Sequence, residues 1–235
     1  MRKSVVAAAV CAAALSVVAP AAQAEPAAPA IIGGGTVSSA PWGAQIYWDQ
    51  GGSEFGGFEC SGTIIAAQWV MTAQHCVTSA PMHVLVGNVN FGQGTRGTVD
   101  RKVISPNGDI ALLHLTAGIN TTFMRLGSAD PATGATNQIY GWGRTLNQSP
   151  PSPVLKTANV RVTGRSTDAF GGRAIASRGI NGAAWHGDSG GPELSNGVQV
   201  GVASTAGNSG SNPQGIQNYA SVAANRTFIR NTAGV

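Results

Sequence analysis

A serine set among glycines is the residue in this chain best suited to act as a nucleophile. The run GDSGGP, residues 187–192, surrounds Ser189 with glycines that permit a tight turn and a close approach of the backbone. A serine hydroxyl at such a turn can attack a carbonyl carbon when a neighbouring base removes its proton. The run therefore predicts acyl transfer at Ser189, with a plain glycine-rich turn as the structural alternative.

The order of the ionisable residues decides which kind of triad Ser189 could join. The run also has the pattern Gly-x-Ser-x-Gly of the α/β-hydrolases, in which the acid and the histidine follow the serine. No histidine or aspartate follows Ser189 in this chain, and Glu193 is the one acidic residue there. The pattern therefore excludes an α/β-hydrolase triad and requires a base and an acid earlier in the chain.

His75 and Asp109 are the candidates for that base and that acid. His75 follows the apolar run 69–73 and directly precedes Cys76. Asp109 stands before the apolar run 110–113, where a buried carboxylate would be unfavourable unless it met a histidine. Asp100 also precedes an apolar run and remains the alternative acid.

The composition predicts many short strands. The 235 residues include 33 Gly and 12 Pro, and only 10% of them are charged. This excludes a charged disordered tail and a long coiled coil, and the net charge of +4 is too scattered for a nucleic-acid-binding surface. A modest helix is predicted at residues 221–230, and no alternation of strands and helices is visible, which favours an all-β fold. Ten runs between turn-forming residues predict the strands: 44–48, 62–66, 69–73, 83–86, 97–104, 110–115, 139–142, 158–162, 198–203 and 219–222.

The first thirty residues are expected to be removed. Arg2 and Lys3 lead into an apolar stretch at residues 5–19, which is shorter than the roughly 20 residues needed to span a bilayer. The stretch ends at Ala-Gln-Ala, residues 22–24, which is typical of a signal-peptidase site. Residues 1–24 are predicted to be the signal peptide of a secreted protein and residues 25–30 a short propeptide.

Two cysteines remain after this leader. Cys60 and Cys76, an even pair in an exported chain, predict one disulfide bond. Closing a loop of this length stabilises a fold by about 3 kcal/mol in the chain-entropy description. A structural zinc site needs four regularly spaced ligands, which the sequence does not offer, so no metal site is predicted. Calcium binding is left open, because the carboxylates of Asp49, Glu54 and Glu59 could serve as ligands.

Five motifs together resemble the chymotrypsin/trypsin-like serine protease family. In chain order they are IIGG at 31–34, TAQHC at 72–76, DIAL at 109–112, GWG at 141–143 and GDSGGP at 187–192. They span nearly all of residues 31–235, and the order histidine, aspartate, serine is that of the family. Trp185 stands where the family usually has a cysteine, which, with the alanine-rich leader, resembles secreted microbial members of actinobacterial type.

The resemblance implies a fold and a catalytic triad. The fold would be two six-stranded antiparallel β-barrels packed against each other, residues 31–125 and 126–235, with a short helix at the C-terminus. Ser189 would be the nucleophile, His75 the general base and acid, and Asp109 the group that orients the imidazole.

The resemblance also implies the groups that assist this triad. The backbone N–H groups of Gly187 and Ser189 would form the oxyanion hole. Asp188 would form an ion pair with the α-amino group of Ile31, once the chain is cut before that residue. The bond to be cut follows Ala30, so either a protease or signal peptidase itself would free Ile31.

Three residues are implied to form the substrate pocket. In the family the pocket floor lies six residues before the nucleophile, which falls on Ala183. Since no aspartate is there, cleavage after Arg or Lys is disfavoured. Ser204 and Ala206 fall on the strand that pairs with the substrate backbone, and we expect small or medium apolar side chains before the scissile bond.

The resemblance implies protein or peptide substrates, no cofactor, no nucleic-acid partner, no membrane attachment after leader removal, and a monomer. The alternative is a catalytically silent homologue used as a binding or adhesion module, since one fold can host both. All three candidate triad residues are present, which favours the enzyme.

Overall fold

The computed structural model describes Met1 and residues 31–235, so the predicted signal peptide and propeptide lie outside the described residues, apart from Met1. No helix in residues 31–235 is both long and apolar enough to cross a bilayer. The described part contains one α-helix, α1 (Val222–Ala233). Its strands are β1 (Ile32–Gly33), β2 (Gly35–Thr36), β3 (Gly43–Trp48), β4 (Phe58–Ala66), β5 (Trp69–Thr72), β6 (Met82–Val86), β7 (Thr95–Ile104), β8 (Ala111–Leu115), β9 (Thr136–Gly141), β10 (Lys156–Thr167), β11 (Arg173–Gly179), β12 (Gly182–Ala183), β13 (Pro192–Ser195), β14 (Val198–Gly207) and β15 (Ile216–Ser221).

Six of these strands close the first barrel. Their order is β3-β4-β5-β8-β7-β6, every pair is antiparallel, and β6 pairs back to β3. Ile46, Ile64, Val70 and Leu112 are fully buried in its core. Burial of these branched side chains provides the main driving force for closing the sheet.

Six other strands close the second barrel. Their order is β11-β15-β14-β13-β9-β10, and β10 closes the ring by pairing with β11. The short β2 adds to β10, and β1 pairs with β12. Ile31, Ile139, Val160 and Tyr219 pack together in its core. The predicted fold class, two six-stranded antiparallel barrels with a C-terminal helix, is confirmed, whereas the boundary at residues 125 and 126 stays a prediction.

Each of the ten predicted runs overlaps an observed strand, but the barrel strands β11 and β13 and the two-residue strands β1, β2 and β12 were not predicted. The sequence of β11, RAIASRG, has arginine near both ends and no continuous apolar run. Pairing with β10 and β15 nevertheless makes it a strand, in which Ile175, Ser177 and Gly179 are buried and both arginines are exposed. The first residue of β13 is Pro192, which also ends the glycine-rich run and hides the strand signal.

The predicted helix at residues 221–230 is observed as α1. The side chain of Ser221 accepts the N–H of Ala224 at 3.1 Å and caps the N-terminus, and Gly234 ends the helix with a left-handed φ of 78°. Val222 and Ile229 are fully buried and join the cluster that includes the first-barrel core. The C-terminal helix therefore stabilises the part of the chain that carries His75 and Asp109.

One carboxyl group lies inside the second barrel. Glu193 on β13 is fully buried, and its Oε1 accepts hydrogen bonds from Nδ2 of Asn137 at 2.7 Å and Oγ of Ser177 at 2.8 Å. Within the described residues its Oε2 has no partner. Burial raises the pKa of Glu193 to about 7, and the two hydrogen bonds oppose this rise only in part.

We expect the wild type to lose stability as the pH rises from about 5 to about 7, and we expect the variant Glu193→Gln not to show this loss. The folded-state pKa is raised, so the stabilising protonated form is complete below the unfolded pKa and is lost as the pH rises through about 7. Thermal melts at several pH values measure the difference between wild type and variant. Glu54→Gln is the control because Glu54 is exposed, and a pH-independent difference between Glu193→Gln and wild type would contradict the expectation.

Candidate active site

His75 lies just beyond β5, in the 3₁₀ turn Gln74–Cys76. The predicted disulfide bond is present and joins Cys76 of this turn to Cys60 on β4. Both cysteines are buried, so the turn is attached covalently to the first-barrel core. This fixes the backbone that carries His75.

Asp109, at the end of the loop before β8, contacts His75 through both of its carboxylate oxygens. Oδ2 lies 2.7 Å from Nδ1 of His75, and Oδ1 accepts the backbone N–H of His75 at 3.0 Å. The Asp109 side chain is fully buried, whereas that of His75 is 31% exposed. An ionised carboxylate only accepts hydrogen bonds, so Nδ1 carries the proton and Nε2 is left as the basic nitrogen.

Ser204 completes the surroundings of the Asp109 carboxylate. Its hydroxyl donates to Oδ2 of Asp109 at 2.6 Å. Burial opposes ionisation of Asp109, but the hydrogen bonds and positive charge of His75, together with the Ser204 hydroxyl, outweigh it and hold the pKa of Asp109 below its ordinary value. The carboxylate is therefore charged at neutral pH and can stabilise an imidazolium.

The alternative acid, Asp100, pairs with a different histidine. Its Oδ1 lies 2.6 Å from Nδ1 of His114, and its side chain is 43% exposed. This pair lies where β7 and β8 run side by side. The structure thus brings Asp109, and not Asp100, to His75.

The turn that carries Ser189 is held by the first barrel. The N–H of Ser61 on β4 donates to the carbonyl of Ser189 at 2.9 Å, and its hydroxyl donates to the carbonyl of Gly187 at 2.9 Å. Gly190 has a φ of 79°, and a Cβ there would lie 2.1 Å from Oγ1 of Thr72. The glycine is therefore required for the turn to dock. Sequence reasoning missed Ser61, because nothing local marks it as a partner of residues 187–189.

Ser189 and His75 line one cavity of about 300 Å³. Within the described part of the chain, none of its lining residues is acidic. The other residues that line it are Ala184, Trp185, His186, Ala203, Ser204, Thr205, Ala206 and Tyr219. Both candidate catalytic side chains can therefore reach a group bound here.

Two of the three predicted pocket residues line this cavity, namely Ser204 and Ala206. Ala183 is not among its lining residues; it is buried and pairs with Ile32 across β12 and β1. Successive residues of an extended chain point to opposite sides, so its neighbour Ala184 faces the cavity instead. The assignment of Ala183 to the pocket floor stays a prediction.

A second cavity, of about 350 Å³, is lined by Gly187 and adjoins the first. It shares Trp185 and His186 with the first cavity and is also lined by Phe58 and Arg144. Because they share two lining residues, the two cavities adjoin each other, and together they are called the cleft.

Asp188 is a buried carboxylate without a cationic partner among residues 31–235. Its Oδ1 accepts the N–H of Gly143 at 2.8 Å and its Oδ2 that of Trp185 at 2.9 Å. Burial raises the pKa of Asp188 to about 7 against these hydrogen bonds. The side chain of Ile31 is fully buried in the second-barrel core, with a φ of 46°.

Within the described residues, one group of three potential metal ligands lies together: Cys60, His75 and Cys76. The two sulfurs are bonded to each other, so neither is available as a thiolate ligand. Asp49, for which calcium was left open, contacts Nδ1 of His83 at 2.5 Å and Arg96 at 3.5 Å.

The sequence and the fold of this chain are similar to those of known proteins. The family model described as Trypsin matches residues 31–229. Trypsin beta of Drosophila erecta is 35% identical over 231 residues, covering 86% of this chain and 88% of that relative. Trypsin alpha of Drosophila melanogaster is 32% identical over 231 residues, covering 86% and 87%.

A solved structure agrees in fold. It is neuropsin, a serine protease expressed in the limbic system of mouse brain, with a TM-score of 0.73, 23% identity, and coverage of 86% of this chain and 98% of that one. The curated relatives compared are insect trypsins, so they give no support to the expected microbial source. The match over residues 31–229, the insect relatives and the two closed barrels all lead to one assignment: the chain belongs to the trypsin family of serine endopeptidases.

Proposed function

We propose that this chain is a secreted endopeptidase that cleaves peptide bonds through Ser189, His75 and Asp109. The observation that carries the proposal is the 2.7 Å contact between Nδ1 of His75 and Oδ2 of a fully buried Asp109. This contact leaves Nε2 of His75 as a base, in a cavity that Ser189 also lines.

In the proposed reaction, Ser189 attacks the scissile carbonyl carbon while Nε2 of His75 takes the hydroxyl proton. The backbone N–H groups of Gly187 and Ser189 stabilise the resulting oxyanion, and loss of one such donor typically costs about 2.7–4 kcal/mol. His75 then protonates the leaving amine, which leaves an acyl-enzyme on Ser189. Water attacks the acyl-enzyme by the same steps and releases the acid, with Asp109 stabilising the imidazolium each time.

Labelling with a serine-directed fluorophosphonate tests this proposal. We expect intact-mass measurement of protein that begins at Ile31 to show one adduct, because an activated Ser189 attacks the phosphorus. The control variant Ser189→Ala is expected to show none. A wild type that begins at Ile31 and takes no adduct would instead indicate the catalytically silent homologue.

We further propose that the side chain before the scissile bond is small or medium and apolar. The cavity beside Ser189 is walled by Ala184, Ala203 and Ala206 and holds no acidic lining residue in the described chain. A basic side chain would lose its hydration there without gaining a carboxylate partner, which is unfavourable.

Peptide substrates that differ only in this residue test the preference. We expect kcat/KM to be at least about fivefold higher for alanine or leucine than for arginine, since an unpaired buried polar group costs about 1–3 kcal/mol. Rates of anilide release by protein that begins at Ile31 give the ratio, with Ser189→Ala as the blank. Fastest cleavage after arginine would contradict the proposal.

The proposal also covers where the protein acts and how it is activated. The bond between Cys60 and Cys76 supports an extracellular site of action, because structural disulfides persist mainly in oxidising compartments. We propose that cleavage after Ala30 frees the α-amino group of Ile31, which then pairs with Asp188. Protein and peptide substrates, and a monomeric state, belong to the same proposal.

A further inference from the structure

The turn between β10 and β11 lies against the acid of the proposed triad. At its start is Asp168, which is 6% exposed. Oδ2 of Asp168 accepts the backbone N–H of Asp109 at 2.9 Å. Oδ1 accepts the N–H groups of Phe170 at 2.9 Å and Gly172 at 2.8 Å. The carboxylate of Asp168, in the second barrel, thus accepts hydrogen bonds both from its own turn and from the backbone of Asp109 in the first barrel.

Two glycines allow this close approach. A Cβ at Gly108, where φ is 141°, would lie 2.3 Å from Oδ2 of Asp168. A Cβ at Gly172 would lie 2.3 Å from the carbonyl oxygen of Asn107 and 2.6 Å from the same Oδ2. The turn and the loop before β8 therefore pack backbone against backbone, which leaves the carboxylate of Asp168 little freedom to move.

A second link runs from the same turn to the side chain of Asp109. The N–H of Ala169 donates to Oγ of Ser204 at 3.0 Å, and that hydroxyl donates to Oδ2 of Asp109 at 2.6 Å. Every polar atom of Asp109 named so far therefore has a hydrogen-bond partner: its N–H donates to Asp168, and its two carboxylate oxygens accept from His75 and Ser204. The turn orients the hydroxyl of Ser204 as well as the backbone of Asp109.

We propose that Asp168 is a positioning residue for catalysis, which anchors the backbone of Asp109 so that its carboxylate meets both donors of His75. This inference rests on the proposed function. Without Asp168, the buried N–H of Asp109 loses its acceptor, which costs about 1–3 kcal/mol and frees the loop to shift. A misplacement of about 1 Å in a catalytic group can lower the rate about 100-fold.

The test compares Asp168→Ala and Asp168→Asn with Asp130→Asn in protein that begins at Ile31. Asp130 is a matched control because its carboxylate contacts both strands of the same hairpin, through Arg165 at 2.8 Å and Arg173 at 3.1 Å, and no hydrogen bond joins it to Asp109 within the described residues.

We expect Asp168→Ala to lower kcat about 10- to 100-fold with KM nearly unchanged, since Asp168 lies outside the cavity beside Ser189. The acid limb of the kcat/KM profile should also move to lower pH, because a misplaced Asp109 stabilises the imidazolium less. Asp130→Asn should lower the melting temperature without either kinetic change.

Each result decides the inference. Wild-type kcat and an unmoved acid limb in Asp168→Ala would overturn it, even if the melting temperature falls as in Asp130→Asn. Should Asp168→Ala not fold, Asp168→Asn decides, because the amide keeps the shape but cannot accept from Asp109 and from both turn N–H groups. Fluorophosphonate labelling of the wild type separates the two failures: an adduct with unchanged variant kinetics overturns only the role of Asp168, whereas no adduct overturns the proposed function and this role together.

Discussion

Asp109→Asn is expected to lower kcat about 10⁴-fold while the protein stays folded, a loss of the size typical for this change in a Ser-His-Asp triad. The carboxylate accepts hydrogen bonds from Nδ1 and the backbone N–H of His75 and from the hydroxyl of Ser204. An amide offers only one acceptor oxygen, and its NH₂ group would favour the tautomer of His75 with the proton on Nε2. That tautomer cannot take the proton of Ser189. Steady-state kinetics on a peptide substrate, with a thermal melt of the same sample, measure both effects.

The matched control is Asp100→Asn. Asp100 makes a contact of 2.6 Å with Nδ1 of His114, closely similar to that of Asp109 with His75, but on a side chain that is 43% exposed. We expect its kcat to stay within about twofold of wild type, because surface substitutions away from the site change little. Equal losses in the two variants would contradict the assignment of Asp109 as the acid.

Asp188→Asn is expected to lower kcat/KM by roughly two to three orders of magnitude in protein that begins at Ile31. Asp188 is fully buried, and its charge would be matched by the freed α-amino group. Breaking a buried ion pair by removing one partner costs about 3–5 kcal/mol. The loss falls on catalysis because Asp188 lies between Gly187 and Ser189, whose N–H groups form the proposed oxyanion hole. Kinetics on a peptide substrate, after N-terminal sequencing of both proteins, measure it.

Glu193→Gln is the matched control for this substitution. Glu193 is also fully buried in the second barrel, and its pKa is also raised to about 7 by burial, but it lines neither cavity of the cleft. We expect its kcat/KM at pH 7 to stay within about threefold of wild type. If wild type beginning at Ile31 and Asp188→Asn were equally active, the proposed ion pair would have no role in assembling the site.

The candidate nucleophile and base could be identified from the sequence because their signals are local. Glycines on both sides of Ser189 mark a turn whatever the rest of the chain does, and the lack of any histidine or aspartate after Ser189 already excludes one class of triad. Most strands were predictable for the same reason, since alternating burial imposes a period of two on neighbouring residues. Among the barrel strands β11 was one of two exceptions, because its arginines are accommodated at exposed positions that only its pairing with β10 and β15 defines.

The choice between Asp109 and Asp100 depended on the tertiary structure. Both precede apolar runs, so their local sequences are equivalent in kind. The pairing of β7 with β8 brings Asp100 to His114, while the end of the loop before β8 brings Asp109 to His75. Register between strands is set by packing across the whole barrel, and no single segment specifies it.

By itself, the sequence determined which residues can do chemistry, the all-β class, the disulfide and the family. Only the tertiary structure decided what holds those residues in place: Ser61 at Gly187, Ser204 at Asp109, and Asp168 at the backbone of Asp109. These partners are 126, 95 and 59 residues apart in sequence, and each joins one barrel to the other. An aspartate in a glycine-rich turn is an ordinary turn residue when read locally, and its second role arises only because folding buries that turn against the loop of Asp109.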